Sequence, residues 1–143
     1  TVMTGRQEVL GHHNIRMIPV KEDMSHLFLV NEALDNNEIM SMPADRIIGS
    51  AKFITSVFMD AEACFPAGPL SVAAMKGLDV LAVNVMKTSA KHYKVYVARL
   101  SYDKQAPRRQ QMQQLADSYV KELERRVRQY PLQWFNFYDF WSR

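Results

Sequence analysis

The 143 residues, 48% hydrophobic and 23% charged, can fill one core and make one domain. The longest apolar runs, such as Val80–Val83, fall far short of the roughly 20 residues a membrane-spanning helix needs. The single cysteine, Cys64, excludes an internal disulfide and favours a reducing compartment. No signal peptide, low-complexity tract or repeat is apparent in these residues, and the first residue, Thr1 rather than Met, suggests a processed, trimmed or excised chain. The formal charge is +3, and residues 108–128 account for all of it, with Arg108, Arg109, Lys121, Arg125, Arg126 and Arg128 against Asp117, Glu122 and Glu124.

Asn14–Val20 (NIRMIPV) reads as a short strand, and Lys21–Asn36 as a helix with Met24, Leu27, Phe28 and Leu34 on one face. Asp35-Asn36-Asn37 should stop that helix, because Asn and Asp favour local hydrogen bonds over helix continuation. Glu38–Met42 reads as a second strand, followed by a polar loop over Pro43–Ala51. Lys52–Met59 is β-branched and aromatic enough for a third strand, and a turn through Asp60–Cys64 leads to FPAGP.

Gly68–Lys76 then predicts a helix ending at Gly77. Asp79–Lys87 is nearly continuously apolar, as for a strand covered on both faces. Thr88–Ala90 turns the chain into His92–Tyr102, so the two form an antiparallel hairpin, with slipped alternation near Tyr96–Ala98 that suggests a bulge. After Pro107, a helix over Arg108–Arg128 carries Met112, Leu115, Ala116, Tyr119, Val120, Leu123 and Val127 on one stripe. Its Asp117–Lys121 and Glu122–Arg126 pairs have the favourable i,i+4 order. Pro131 ends that helix, and YPLQWFNFYDFW, residues 130–141, packs seven aromatics into twelve positions. Strands alternating with helices, plus one hairpin, predict an α/β class with a mixed β-sheet flanked by helices.

Few residues offer chemistry on their own. His12 and His13 are adjacent, so their rings point apart rather than at one ion, and no metal or cofactor site is expected. His26 and His92 read as ordinary surface or half-buried histidines, and Cys64 beside Phe65 as a small buried hydrophobe. Asp117, Glu122 and Glu124 would repel phosphates along the basic helix, which argues against nucleic acid. Phe65-Pro66-Ala67-Gly68-Pro69 is different, because such a turn aims backbone N–H groups from a helix N-terminus, a natural seat for an anion. The same turn is also what a strand-to-helix connection needs for geometry alone. Asp45-Arg46, in a polar loop, is either a surface pair or part of a site.

In order along the chain, "IMSMPADRIIGS", "FMDAEACFPAGPLSVAAMKGLDVLAVNVMK" and "YPLQWFNFYDFW" resemble the bacterial lipid A biosynthesis acyltransferases, the lauroyl/myristoyl transferases of the lysophospholipid acyltransferase superfamily. The resemblance covers residues 14–141. It implies a peripheral enzyme at the cytoplasmic face of the bacterial inner membrane. Such an enzyme moves a fatty acyl group from acyl carrier protein or acyl-CoA to a hydroxyl or amine of a lipid acceptor.

Asp45 and Arg46 match a position near the family's active-site cleft. Phe65, Pro66, Gly68 and Pro69 match its third motif, which contacts the acceptor, and all six are the expected substrate-binding residues. Leu78–Val85 matches a fourth motif, a strand lining the acyl pocket. The family's proton-transfer motif, His-x-x-x-x-Asp, is absent. Met17, Ile18, Asn31 and Val97 stand five residues after the four histidines. The expectation is therefore a C-terminal half, inactive alone, and able to self-associate through an exposed apolar edge. The basic helix and aromatic tail suit a membrane surface, although so aromatic a tail is expected mainly to close the fold. A non-catalytic lipid- or protein-binding module is the alternative.

Overall fold

The computed structural model describes residues 15–19, 26–47, 52–137 and 139–141. The chain divides into two compact units, Thr1–Met42 and Pro43–Arg143. The first holds helix α1 (His26–Asp35), which buries Val30 and Ala33 and leaves Phe28 80% exposed. The buried stripe is thus not the Phe28 face expected from sequence, and Lys21–Ser25 lie outside the described residues.

The end of α1 follows the chemistry of its asparagines. Asn37 takes a left-handed conformation (φ 58°), and the Asn37 and Glu38 N–H groups close back on the Leu34 and Ala33 carbonyls. Arg16 then bridges Glu32 and Glu38 at 3.8 and 3.5 Å. The strands expected at 14–20 and 38–42 do not form in the described residues 15–19 and 38–42. Both sequences suit strands, yet among the described residues no strand pairs with either to complete a ladder.

The second unit contains two antiparallel hairpins, two helices and the tail, so the α/β class holds, with two small antiparallel sheets. Strand β1 (Phe53–Phe58) pairs with β2 (Ala61–Pro66) from Phe58↔Ala61 to Phe53↔Pro66. The turn expected over Asp60–Cys64 is therefore only Met59-Asp60, and Ala61–Cys64 is already strand. Both turn residues have positive φ, 53° and 65°, which Met resists and Asp only tolerates. The long C-terminal helix holds them there: Met59 N–H donates to Glu124 Oε2 (3.1 Å), and Arg128 reaches Asp60 at 3.5 Å.

Strand β2 runs directly into α2 (Ala67–Lys76), which Gly77 ends in a left-handed cap (φ 61°). Strands β3 (Val80–Lys87) and β4 (Tyr93–Leu100) then pair one to one throughout, so the expected bulge is absent. Alternation is kept, and the inner face carries Asn84 and Tyr96 among its apolar residues. Tyr96 turns inward because Arg126 lies over its ring at 3.9 Å and its hydroxyl meets that of Tyr130 at 2.6 Å.

Helix α3 (Arg108–Gln129) lies against both hairpins. Val120, Leu123 and Val127 pack with Phe58, Ala63, Phe65 and Phe140. Leu115 and Ala116 pack with Leu70, Ala73, Ala74, Ala82 and Leu100. Of the two expected i,i+4 pairs, Glu122 and Arg126 form a buried one, with Nε and Nη2 donating to Oε1 at 2.9 and 2.8 Å. Asp117 accepts instead from Ser56 Oγ (2.7 Å) and Gln113 Nε2 (2.9 Å).

The tail ties the hairpins together. A short 3-10 helix (Pro131–Gln133) places the Gln133 amide on Lys87, giving and accepting bonds at 2.8 Å with its carbonyl and N–H. Farther on, the Phe140 carbonyl accepts from Cys64 N–H (2.8 Å), and Trp141 Nε1 donates to the Phe58 carbonyl (3.2 Å).

Removing Glu122 would strand the Arg126 charge in the interior. Glu122→Ala should therefore lower stability by about 3 kcal/mol or more in urea unfolding, whereas replacing exposed Arg109 should change little. Asp60→Gly should act in the opposite direction. Relieving its positive φ should raise stability by up to about 1 kcal/mol, read as a higher Tm.

Candidate functional site

The FPAGP stretch is built by a strand that becomes a helix without a connecting loop. Phe65 is 1% exposed, its ring packing at 5.4 Å from Phe140, 6.1 Å from Phe58 and 6.2 Å from Tyr119. It anchors the turn from the core and offers no side-chain surface to a ligand. Pro66, extended at φ −65°, precedes the helix and supplies no side-chain cap. Pro69 stands in the first turn, where its missing N–H costs nothing.

Gly68 is the exposed member of the motif, with open space where a Cβ would stand. Its backbone is not in the left-handed region, so glycine is not needed there for conformation. Ala67 N–H is taken by the Lys52 carbonyl at 3.3 Å, and prolines 66 and 69 have no N–H. Gly68 N–H, at the positive end of α2, has no hydrogen-bond partner among the described residues.

Sequence reasoning placed Arg108 only among the charges of a basic helix. In the structure it leaves its own helix to reach α2, donating to Ser71 Oγ (3.0 Å) and the Ser71 carbonyl (3.4 Å). Ser71 follows Gly68 by three residues, one helical turn on the same side. A guanidinium and the start of α2 therefore share that side. No spacing rule could have linked Arg108 to a motif 40 residues earlier.

Asp45 is half-buried and Arg46 exposed, in the irregular stretch 43–47; Ile48–Ala51 lie outside the described residues. The Asp45 carboxylate is near Tyr119, whose ring packs edge-on to Phe65. Burial pushes the Tyr119 phenol well above the ordinary tyrosine range, and the Asp45 charge adds to the shift. Asp45 is thus linked to the FPAGP stretch through Tyr119, which sequence reading had placed only in the core stripe.

A groove of about 800 Å³ lies elsewhere, beside α3, between Ser56-Val57 of β1 and Ala98–Leu100 of β4. None of the six expected residues lines it. Its charged walls are mostly paired internally, as Glu122 with Arg125 and Glu124 with Arg128. Of the six, Phe65 lies in the core, and Gly68 and Arg46 lie on the surface. Among the described residues no cluster of His, Cys, Asp and Glu could hold a metal ion.

The profile of the bacterial lipid A biosynthesis acyltransferases matches residues 2–143. The chain belongs to this family. No curated protein and no solved structure matches it. Membership makes the general chemistry acyl transfer, with an acyl donor and a lipid acceptor. Among the described residues no helix is long and apolar enough to cross a membrane.

The raised Tyr119 has a consequence for alkaline stability. The unfolded chain releases this proton near pH 10 while the folded chain still holds it, so folding is weakened as pH rises above about 10. Tyr119→Phe should lose less stability than the unaltered chain between about pH 9 and pH 11, measured by urea midpoints.

Proposed function

We propose that this chain supplies the acceptor side of an acyl transfer in which a fatty acyl thioester, on acyl carrier protein or acyl-CoA, is attacked by a hydroxyl or amine of a lipid. The observation that carries the reading is Gly68, an exposed glycine at the start of α2 with free space above it and an N–H that has no partner among the described residues. An anionic group of the acceptor would sit against that N–H, favoured by the helix dipole and by Arg108 bound to the next turn. Asp45 and Arg46 would complete the acceptor site, while Phe65, Pro66 and Pro69 fix its shape rather than touch the lipid.

The proton transfer itself has no candidate in this sequence. No His is followed five residues later by Asp or Glu, so the general base must come from sequence beyond these residues, and the chain alone is expected to be inactive. The exposed apolar part of the tail, Leu132, Phe135 and Phe137, would meet lipid at a membrane surface. Trp134, Phe140 and Trp141 serve the core instead. The setting proposed is peripheral, at the cytoplasmic face of the bacterial inner membrane.

The test uses the enzyme with its upstream catalytic sequence restored, assayed for transfer of a radiolabelled acyl group. Gly68→Ala should leave Tm unchanged or slightly higher, because alanine is the better helix former, yet raise KM for the lipid acceptor about tenfold. Arg108→Gln should do the same to KM. Unaltered kinetics in both variants would return FPAGP to a purely structural role. An upstream sequence lacking any His-x-x-x-x-Asp, with no transfer detected, would favour a non-catalytic binding module.

A further inference from the structure

Both faces of the β3–β4 hairpin are apolar, and α2 and α3 pack on one of them. That inner face carries Val80, Ala82, Ala98 and Leu100 at one end and Asn84, Met86, Lys94 and Tyr96 at the other. The other face carries Leu81, Val83, Val85, Val95 and Val97 in adjoining register, and every one is 57–59% exposed. A second apolar side of the sheet is thus bare. Five adjoining aliphatics of this kind are what a sheet presents to a second covering layer.

Charge narrows what that layer is. Residues 80–102 contain Lys87, Lys91, Lys94 and Arg99 and no Asp or Glu. The one-to-one register puts Arg99 beside Leu81 at one end of the apolar patch and Lys87 beside Tyr93 at the other. At the Arg99 end, Asp79 takes both Arg99 and Lys104 at 2.9 and 3.0 Å, leaving one net positive charge there. The patch is therefore an apolar strip with a cation at each end.

We propose that this face is a docking surface for one amphipathic α-helix, with an apolar stripe along its length and a carboxylate near each end. The six-residue run from the Leu81 row to the Lys87 row spans about 20 Å, which about 13 helical residues match. A helix is about as wide as a two-stranded ribbon, so a single one covers the strip. A second copy fits less well, since facing strips would bring cations together in either orientation. A lipid surface fits less well too, because a two-stranded ribbon seated in lipid leaves its edge N–H and C=O groups without partners. The proposal is independent of the acyl-transfer reading.

The probes are two 14-residue lactam-bridged helical peptides with the same leucine stripe, one carrying Glu at both ends of it and the other Lys. They are titrated into the 143-residue chain by NMR. The Glu peptide should shift the amides of Leu81–Val85 and Val95–Val97 and bind at least tenfold more tightly than the Lys peptide. The double variant Val83→Thr, Val97→Thr keeps good strand formers on an exposed face. It should keep its circular dichroism and Tm while losing at least tenfold in affinity for the Glu peptide. Equal affinities, shifts elsewhere, or no binding would overturn the proposal. A dimer in sedimentation that the double variant disperses would overturn it in favour of a second copy. Binding to phosphatidylglycerol vesicles that the same variant abolishes would overturn it in favour of a membrane.

Discussion

Everything in the larger unit depends on one buried stripe of α3 being shared by two sheets. A two-stranded hairpin does not hold itself together in water, and there are two of them here. Residues 120, 123 and 127 of α3 cover the aromatic hairpin, and residues 115 and 116 cover the Val-rich one together with α2. Each aliphatic side chain buried this way contributes on the order of 1.5–3 kcal/mol against solvent. The helix therefore decides where both hairpins sit, and so where the start of α2 is aimed. Its polar residues work toward the same end, since Glu124 holds the strained turn of the first hairpin and Arg126 holds Tyr96 of the second.

The aromatic tail is the second half of that constraint. Phe140 is fully buried between Phe58 and Phe65, and backbone bonds from the tail cover the edge of β2 at Cys64. Gln133 does the equivalent at Lys87 on β3. The tail thus closes both hairpins with bonds that a side chain and a carbonyl can each supply. Its aromatics are sorted by this task, because those near the bonded points are inside and Leu132, Phe135 and Phe137 are outside.

How much of this was legible in the sequence depends on whether the signal is local. Helix α3 was, because its stripe repeats over more than four turns, and the ends of α1 and α2 were, because Asn37 and Gly77 can turn left-handed where other residues resist. The segments 15–19 and 38–42 misled because strand propensity does not provide a pairing partner. Strand β2 was hidden by Pro66 and by a turn made of Met and Asp, residues that do not announce positive φ. At the site, the motif itself was visible but its division of labour was not. Phe65 and Gly68 are three residues apart in one motif, yet burial sends one to the core and the other to the surface. Arg108 and Tyr119 join the site only through the packing of α3, which no short-range pattern encodes.

That packing also explains why the site would be rigid on one side and open on the other. The first turn of α2 is fixed from below by Phe65, at its first residue by the Lys52 carbonyl, and one turn on by Arg108. None of these contacts covers Gly68. A helix terminus held this firmly is preorganised, so a ligand meeting it would not have to order the backbone first. Small size at Gly68 matters for the same reason: with the backbone fixed, a methyl group there could not be moved out of an approaching ligand's way.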